Sequence, residues 1–139
     1  MRAARDAGVS VYVVPGAVAA IAALVLSGFP TDRFTFCGFF DEKKLRDDNK
    51  IPHTIIYYES PNRVMSAVAA MARIMPERKI AIVREITKIH EEVIKGSATE
   101  VCEKCKNRVP VLLGFCLCPP QRQRHSFLCQ GRTVPVLCL

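Results

Sequence analysis

Two short stretches combine acids, bases and hydroxyls at spacings that suit chemistry. One is Tyr58-Glu59-Ser60-Pro61-Asn62-Arg63, and the other is Arg84-Glu85-Ile86-Thr87-Lys88. Carboxylates of this kind serve proton transfer, and cations beside them hold anions. The same residues also fit ordinary ion pairs near a helix start or a strand end, and the sequence leaves both readings open.

The neighbouring residues fix where these stretches lie. Thr54–Tyr58 (TIIYY) is β-branched and aromatic, which reads as a buried strand. Ser60 suits an N-cap and Pro61 suits the first helical position, where its missing N–H costs nothing. Val64, Val68, Met71 and Met75 then recur on one face, predicting a helix from Pro61 to about Met75. After the turn at Pro76–Lys79, Ile80–Val83 (IAIV) is a second buried strand, and it runs into Arg84 and Glu85. Strands joined by one helix are normally parallel and near neighbours, so their carboxyl ends face the same side. In open α/β sheets that side is where ligands sit. The expectation is therefore an α/β fold with Glu59 and Glu85 side by side, held against mutual repulsion by Arg63 and Arg84.

Met1–Ala7 is helix-prone and stops at Gly8; Val9–Val14 reads as a strand ended by Pro15-Gly16. Ala17–Ser27 predicts an Ala-rich buried helix closed by Gly28. Phe34–Phe36 is a short strand, and Asp41–Lys50 a mixed-charge, solvated helix or loop. Glu91–Lys95 is strand-like and broken by Gly96, with His90 placed close to it in a structural role. Ser97 and Glu100 have capping-box spacing, so a helix should start at Ala98 and carry Val101, Cys102 and Cys105. Within Val109–Cys118 a strand is possible only at an edge or a start, because Pro110 cannot donate to a ladder.

Composition divides the chain near residue 104. Residues 1–103 hold 14 Lys/Arg and 13 Asp/Glu, whereas residues 104–139 hold six Lys/Arg and no acid. The net charge of +7 is thus a property of the tail and no argument for a nucleic-acid partner. Six of the seven cysteines also follow Val101. Cys102 and Cys105 fall in an expected helix, and Cys116-x-Cys118 has the wrong spacing, so no metal is expected. The apolar run Ala17–Leu26 is too short to span a bilayer, and reduced thiols in a cytosol fit the rest. Residues 107–139 lack a period that buries one face and are expected to pack loosely.

Four segments taken together, Met1–Gly16, Leu26–Phe40, Thr54–Arg63 and Ile80–Gly96, resemble the tetrapyrrole methylase family. Within it they are similar to the bacterial branch that methylates the ribose 2′-oxygen of a cytidine in small-subunit ribosomal RNA. The YESP-x-R turn, the R-E-I-T-K run and the nearby Glu91-Glu92 carry that likeness, which covers residues 1–101. The resemblance implies two α/β domains with S-adenosylmethionine between them, and a homodimer in the cytoplasm with no membrane. On that reading the chain is a C-terminal half. Residues 1–16 are the remnant of the first domain and its hinge. Residues 17–106 are the second domain, a mixed sheet flanked by helices, and 107–139 is a tail that does not match.

The resemblance further implies that Pro15, Gly16, Tyr58, Glu59, Ser60, Arg84, Ile86 and Thr87 border the cofactor, the last group through backbone. A ribose hydroxyl is a poor nucleophile and needs a base or a polarising cation. Glu85 is the first candidate for that base, and Lys88 for steadying the alkoxide or holding an RNA phosphate. Two other readings stand beside it: a methyltransferase acting on corrin or porphyrin precursors, and a non-catalytic dimerising half-domain.

Overall fold

Thr54–Tyr58 and the apolar run after Lys79 form strands because both are buried on two faces, where β-branched side chains pack well. The computed structural model describes residues 1–106 and the backbone of residues 114–117. Its elements in order are α1 (Arg2–Asp6), α2 (Ala19–Ser27), β1 (Phe34–Phe39), α3 (Leu45–Asp48), β2 (Thr54–Tyr58), α4 (Pro61–Ile74), β3 (Lys79–Arg84), β4 (Glu92–Ser97), α5 (Ala98–Lys106) and β5 (Gly114–Leu117). They build a mixed five-stranded sheet in the order β1-β2-β5-β3-β4. Strands β1 and β2 are parallel, whereas β5 is antiparallel to both of its neighbours and β4 is antiparallel to β3.

The sheet is packed on both faces. Tyr57 reaches Asp48 of α3 on one face, where α3, α4 and α5 lie together. Tyr58, its neighbour along the strand, points the other way and meets the start of α2. Val64, Val68, Met71 and Met75 are all buried, as the helical spacing predicts. Gly28 closes α2 with φ 65°, a left-handed cap that glycine takes without strain. The capping box of α5 is formed: Ser97 N–H donates to Glu100 Oε2 at 2.8 Å, and Glu100 N–H donates to Ser97 Oγ at 3.2 Å.

Several expectations are corrected. Val9–Val14 is not a strand: nothing pairs with it among the described residues, and Tyr12, Val13 and Val14 are 80% exposed or more. Strand β4 runs through Gly96 to Ser97 rather than stopping there, because the ladder to β3 continues to Lys79↔Ser97. The Asp41–Lys50 segment is only partly solvated. Leu45 is fully buried, and Asp48 accepts a hydrogen bond from the Tyr57 hydroxyl at 2.6 Å. Burial, then that bond and the Asp48 charge, push the Tyr57 hydroxyl well above the ordinary phenol range. Strand β5 lies in the middle of the sheet, inside the stretch expected to pack loosely and beyond the boundary placed at residue 106. Pro110 stands outside β5 and so withholds no ladder hydrogen bond from it. The rest of 107–139 lies outside the described residues, and with it the Cys118 considered above.

Candidate active site at the carboxyl edge of the sheet

Strands β2 and β3 point the same way because β5 is antiparallel to both. Their carboxyl ends, Glu59 and Glu85, therefore share one edge of the sheet, as expected. They are not side by side: β5 separates the strands, so their axes lie about 9–10 Å apart, two strand spacings. The crossover through α4 gave the right direction and the wrong adjacency, because a later strand is inserted between its two ends.

Glu59 is held by its own helix start. Its side chain is 2% exposed, and Oε1 accepts from Ser60 N–H at 2.7 Å, Arg63 Nε at 2.8 Å and Arg63 Nη2 at 2.7 Å. The expected Ser60 hydroxyl cap is absent; the Glu59 carboxylate supplies the acceptor at the positive end of the α4 dipole. Arg63→Ala leaves that carboxylate with one partner. The expected loss is about 1–2 kcal/mol, modest because Arg63 is exposed and water can reach the vacated side. Urea unfolding measures it, with Arg63→Lys recovering part. An unchanged midpoint would show the pair to be idle.

Tyr58 accepts the Ala20 N–H at 3.2 Å and stacks edge-on with Phe36 at 4.8 Å. Its hydroxyl satisfies one of the orphan donors at the start of α2. That contact brings the α2 start to the same edge. Pro15 and Gly16 precede it, and both are exposed.

Arg84 does not hold Glu85. Its Nε and Nη2 reach Glu92 Oε2 at 2.6 and 2.5 Å, across the ladder position where the two residues pair. Glu85 is instead held by Lys88, whose Nζ lies 3.2 Å from Oε2 and 3.4 Å from Oε1. The two residues expected to act on the hydroxyl are thus partners, with Glu85 15% exposed and Lys88 62%. Ile86 packs partly against the core, Thr87 is exposed, and so is His90, which has no structural burial.

The backbone here is unusual. Glu85 has φ 52° and Thr87 has φ 64°, the non-glycine residues with positive φ among those described. A β-branched threonine in the left-handed region is an outlier, at a cost of about 1–3 kcal/mol, and such strain gathers at functional sites. Sequence reasoning used Glu91 and Glu92 only for the family likeness and missed that Glu92 pairs with Arg84 and Glu91 accepts the Thr87 N–H; it also passed over Arg78, at the opposite, amino end of β3. Arg78 is 2% exposed and clamps the segment after α3, donating through Nη1 to Asn49 O and Oδ1 at 2.9 and 2.8 Å. A depression of about 470 Å³ is lined by Asp41, Glu42, Lys43, Arg46, Arg73 and Ile74, none of them from either motif.

An α/β sheet with two acidic turns at one carboxyl edge defines the class, and comparison with known proteins agrees. Residues 1–102 match the tetrapyrrole (corrin/porphyrin) methylases, and the chain belongs to that family. Within it, the chain is 43% identical over 102 residues to ribosomal RNA small subunit methyltransferase I of Erythrobacter litoralis. It is 42% identical over 102 residues to the Bacillus subtilis protein of that name. Each match takes in 69% of this chain but only 36% and 35% of the relative. The chain thus spans about a third of those relatives' length, which corrects the expectation of a C-terminal half. Among solved structures, the methyltransferase CobJ superposes with a TM-score of 0.61 at 18% identity, covering 88% of this chain and 56% of that one. A uroporphyrin-III C-methyltransferase from Thermus thermophilus, complexed with S-adenyl homocysteine, gives 0.55 at 19% identity, covering 83% and 55%. These two share the fold.

Proposed function

We propose that the chain supplies one side of the cofactor cleft of an S-adenosylmethionine-dependent enzyme that methylates the 2′-oxygen of a cytidine ribose in small-subunit ribosomal RNA. The observation behind this reading is the shared edge: YESP-x-R and R-E-I-T-K, which carry the likeness to those relatives, open on the same side of one sheet. Residues 17–106, with β5, form the α/β domain that follows the hinge at Pro15-Gly16. Tyr58, Glu59 and Ser60 shape one wall of the cleft, and Arg84, Ile86 and Thr87 another. The family takes its methyl group from S-adenosylmethionine. The transfer is an in-line displacement at a sulfonium, so positioning supplies much of the rate. Glu85 faces the hydroxyl as base, and Lys88 steadies the oxyanion or an adjacent phosphate. The working protein is a cytoplasmic homodimer on this reading. Among the described residues, no helix is long and apolar enough to cross a membrane.

The test grafts this chain's residues 1–117 in place of the matching stretch of the Bacillus subtilis relative. The graft is incubated with labelled S-adenosylmethionine and unmodified small subunits. Label on a cytidine ribose is the expected result; label only on a porphyrin precursor, or none, overturns the proposal. The chain by itself should transfer no label, because about a third of such an enzyme cannot exclude water or orient the sulfonium. Transfer by the chain alone at a rate near the graft's would refute that expectation.

A further inference from the structure

The left-handed turn at Glu85–Thr87 has a latch. The Thr87 N–H donates to Glu91 Oε2 at 2.8 Å, a bond from the turn's most strained amide to a carboxylate four residues on. Two backbone bonds close the same loop, Lys88 N–H to Glu85 O at 2.9 Å and Glu91 N–H to Lys88 O at 3.1 Å. The Thr87 hydroxyl is turned back onto Ile86 O at 2.6 Å. Thr87, Lys88, Ile89, His90 and Glu91 are all exposed, so packing does not hold them. A strained conformation persists only where its surroundings over-determine it. Beside those backbone bonds and the Lys88–Glu85 ion pair, the Glu91 side chain is the group that bonds the Thr87 N–H itself. It also leads directly into Glu92, whose carboxylate fixes Arg84 at the other end of the turn.

We propose that Glu91 is a positioning residue for the site: its carboxylate holds Thr87 in the left-handed region and thereby fixes where Glu85 and the Ile86 backbone are presented. The inference rests on the cofactor reading above for the ligand that the turn serves, but the latch is a property of the loop itself. It also means that the Thr87 N–H is already spoken for, so a ligand meets the turn through Ile86 and not through that amide.

Two measurements on the whole chain separate the latch from the function. In the 15N-labelled protein, Glu91→Ala should raise exchange of the Thr87 amide roughly ten- to a hundredfold, the scale of a charge-assisted bond lost. Glu91→Gln keeps an acceptor oxygen and should raise it by less, while amides of Ile82 and Val83 in the core stay unchanged. Thr87 exchange that is the same in Glu91→Ala and the parent overturns the latch. The second measurement titrates S-adenosylhomocysteine into the graft described above. Glu91→Ala should weaken binding about tenfold, with partial recovery in Glu91→Gln. Faster Thr87 exchange with unaltered affinity overturns the positioning role. No binding even by the parent graft overturns the cofactor reading, and leaves the exchange result to decide the latch.

Discussion

A chain ending at Lys106 is expected to lose cooperative unfolding, whereas one ending at Leu117 keeps it. Strand β5 is hydrogen-bonded on both sides, with Ile55↔Leu117 and Ile56↔Cys116 on one and Ala81↔Cys116 and Ile82↔Phe115 on the other. Removing it turns the middle of the sheet into two inner edges. The residues on those edges, Ile55, Ile56, Ala81 and Ile82, are fully buried with β5 in place, so removing it either opens their apolar surface to water or closes the sheet over unpaired N–H and C=O groups. Each buried group left unpaired costs about 1–3 kcal/mol. A few of them match the whole stability of a small domain, about 5–15 kcal/mol. Circular dichroism during urea titration of the two chains is the measurement. A sharp transition with the same midpoint in both would show that β5 adds nothing to the sheet. It would also restore the domain boundary at residue 106 that composition suggests.

The contrast between β5 and β2 shows which parts of this fold are legible in sequence. Thr54–Tyr58 announces itself through five consecutive β-formers, and Ser60-Pro61 marks the helix start beside it. Gly28 and the Ser97/Glu100 box are likewise local signals, and each holds in the structure. Strand β5 carries none of these. Gly114 and Cys116 make up half of its four residues, Pro110 lies just upstream, and its partners are some 30 and 60 residues away. Pairing over that distance is decided by which slot in the sheet is open, not by the strand's own residues. Val9–Val14 errs in the opposite sense: it has strand residues and lacks a partner among those described.

The site divides along the same line. That both acidic turns share an edge follows from strand order along the chain, and was legible. Which cation holds which carboxylate was half legible: Arg63 pairs with Glu59 as expected, whereas Arg84 does not pair with Glu85. Arg84 is the last residue of β3 and adjoins Glu85 in sequence, yet adjacent residues on a strand point to opposite faces, and the ladder brings Glu92 opposite instead. Glu59, read as a wall of the cleft, spends its carboxylate on Ser60 and Arg63. The Arg63 partner follows from i,i+4 spacing, which the sequence displays, whereas the Arg84 partner is set by a cross-strand register that it does not.

Glu85→Gln in the graft should lower turnover by about 10²- to 10⁴-fold, the range for losing a positioned base, with S-adenosylhomocysteine affinity unchanged within about twofold. The amide is isosteric and can still accept from Lys88, so the turn keeps its shape. What it cannot do is take the proton of a ribose hydroxyl. Geometry favours Glu85 over Glu59 for that task. Glu59 is 2% exposed with its partners within its own helix start, whereas Glu85 is 15% exposed and is held by the flexible, mostly exposed Lys88. A base must come within hydrogen-bond reach of the proton it takes, and a carboxylate sealed under Arg63 is poorly placed to do so. Glu59→Ala should therefore lower stability and leave the per-molecule rate of the folded enzyme within about tenfold. Lys88→Ala should fall between the two: it removes a cation from the oxyanion and also releases Glu85. Single-turnover rates at saturating cofactor separate these outcomes from binding. Should Glu59→Gln slow the chemical step by a hundredfold while Glu85→Gln leaves it intact, the assignment is reversed. The strained turn after β3 would then be a binding wall without a part in proton transfer.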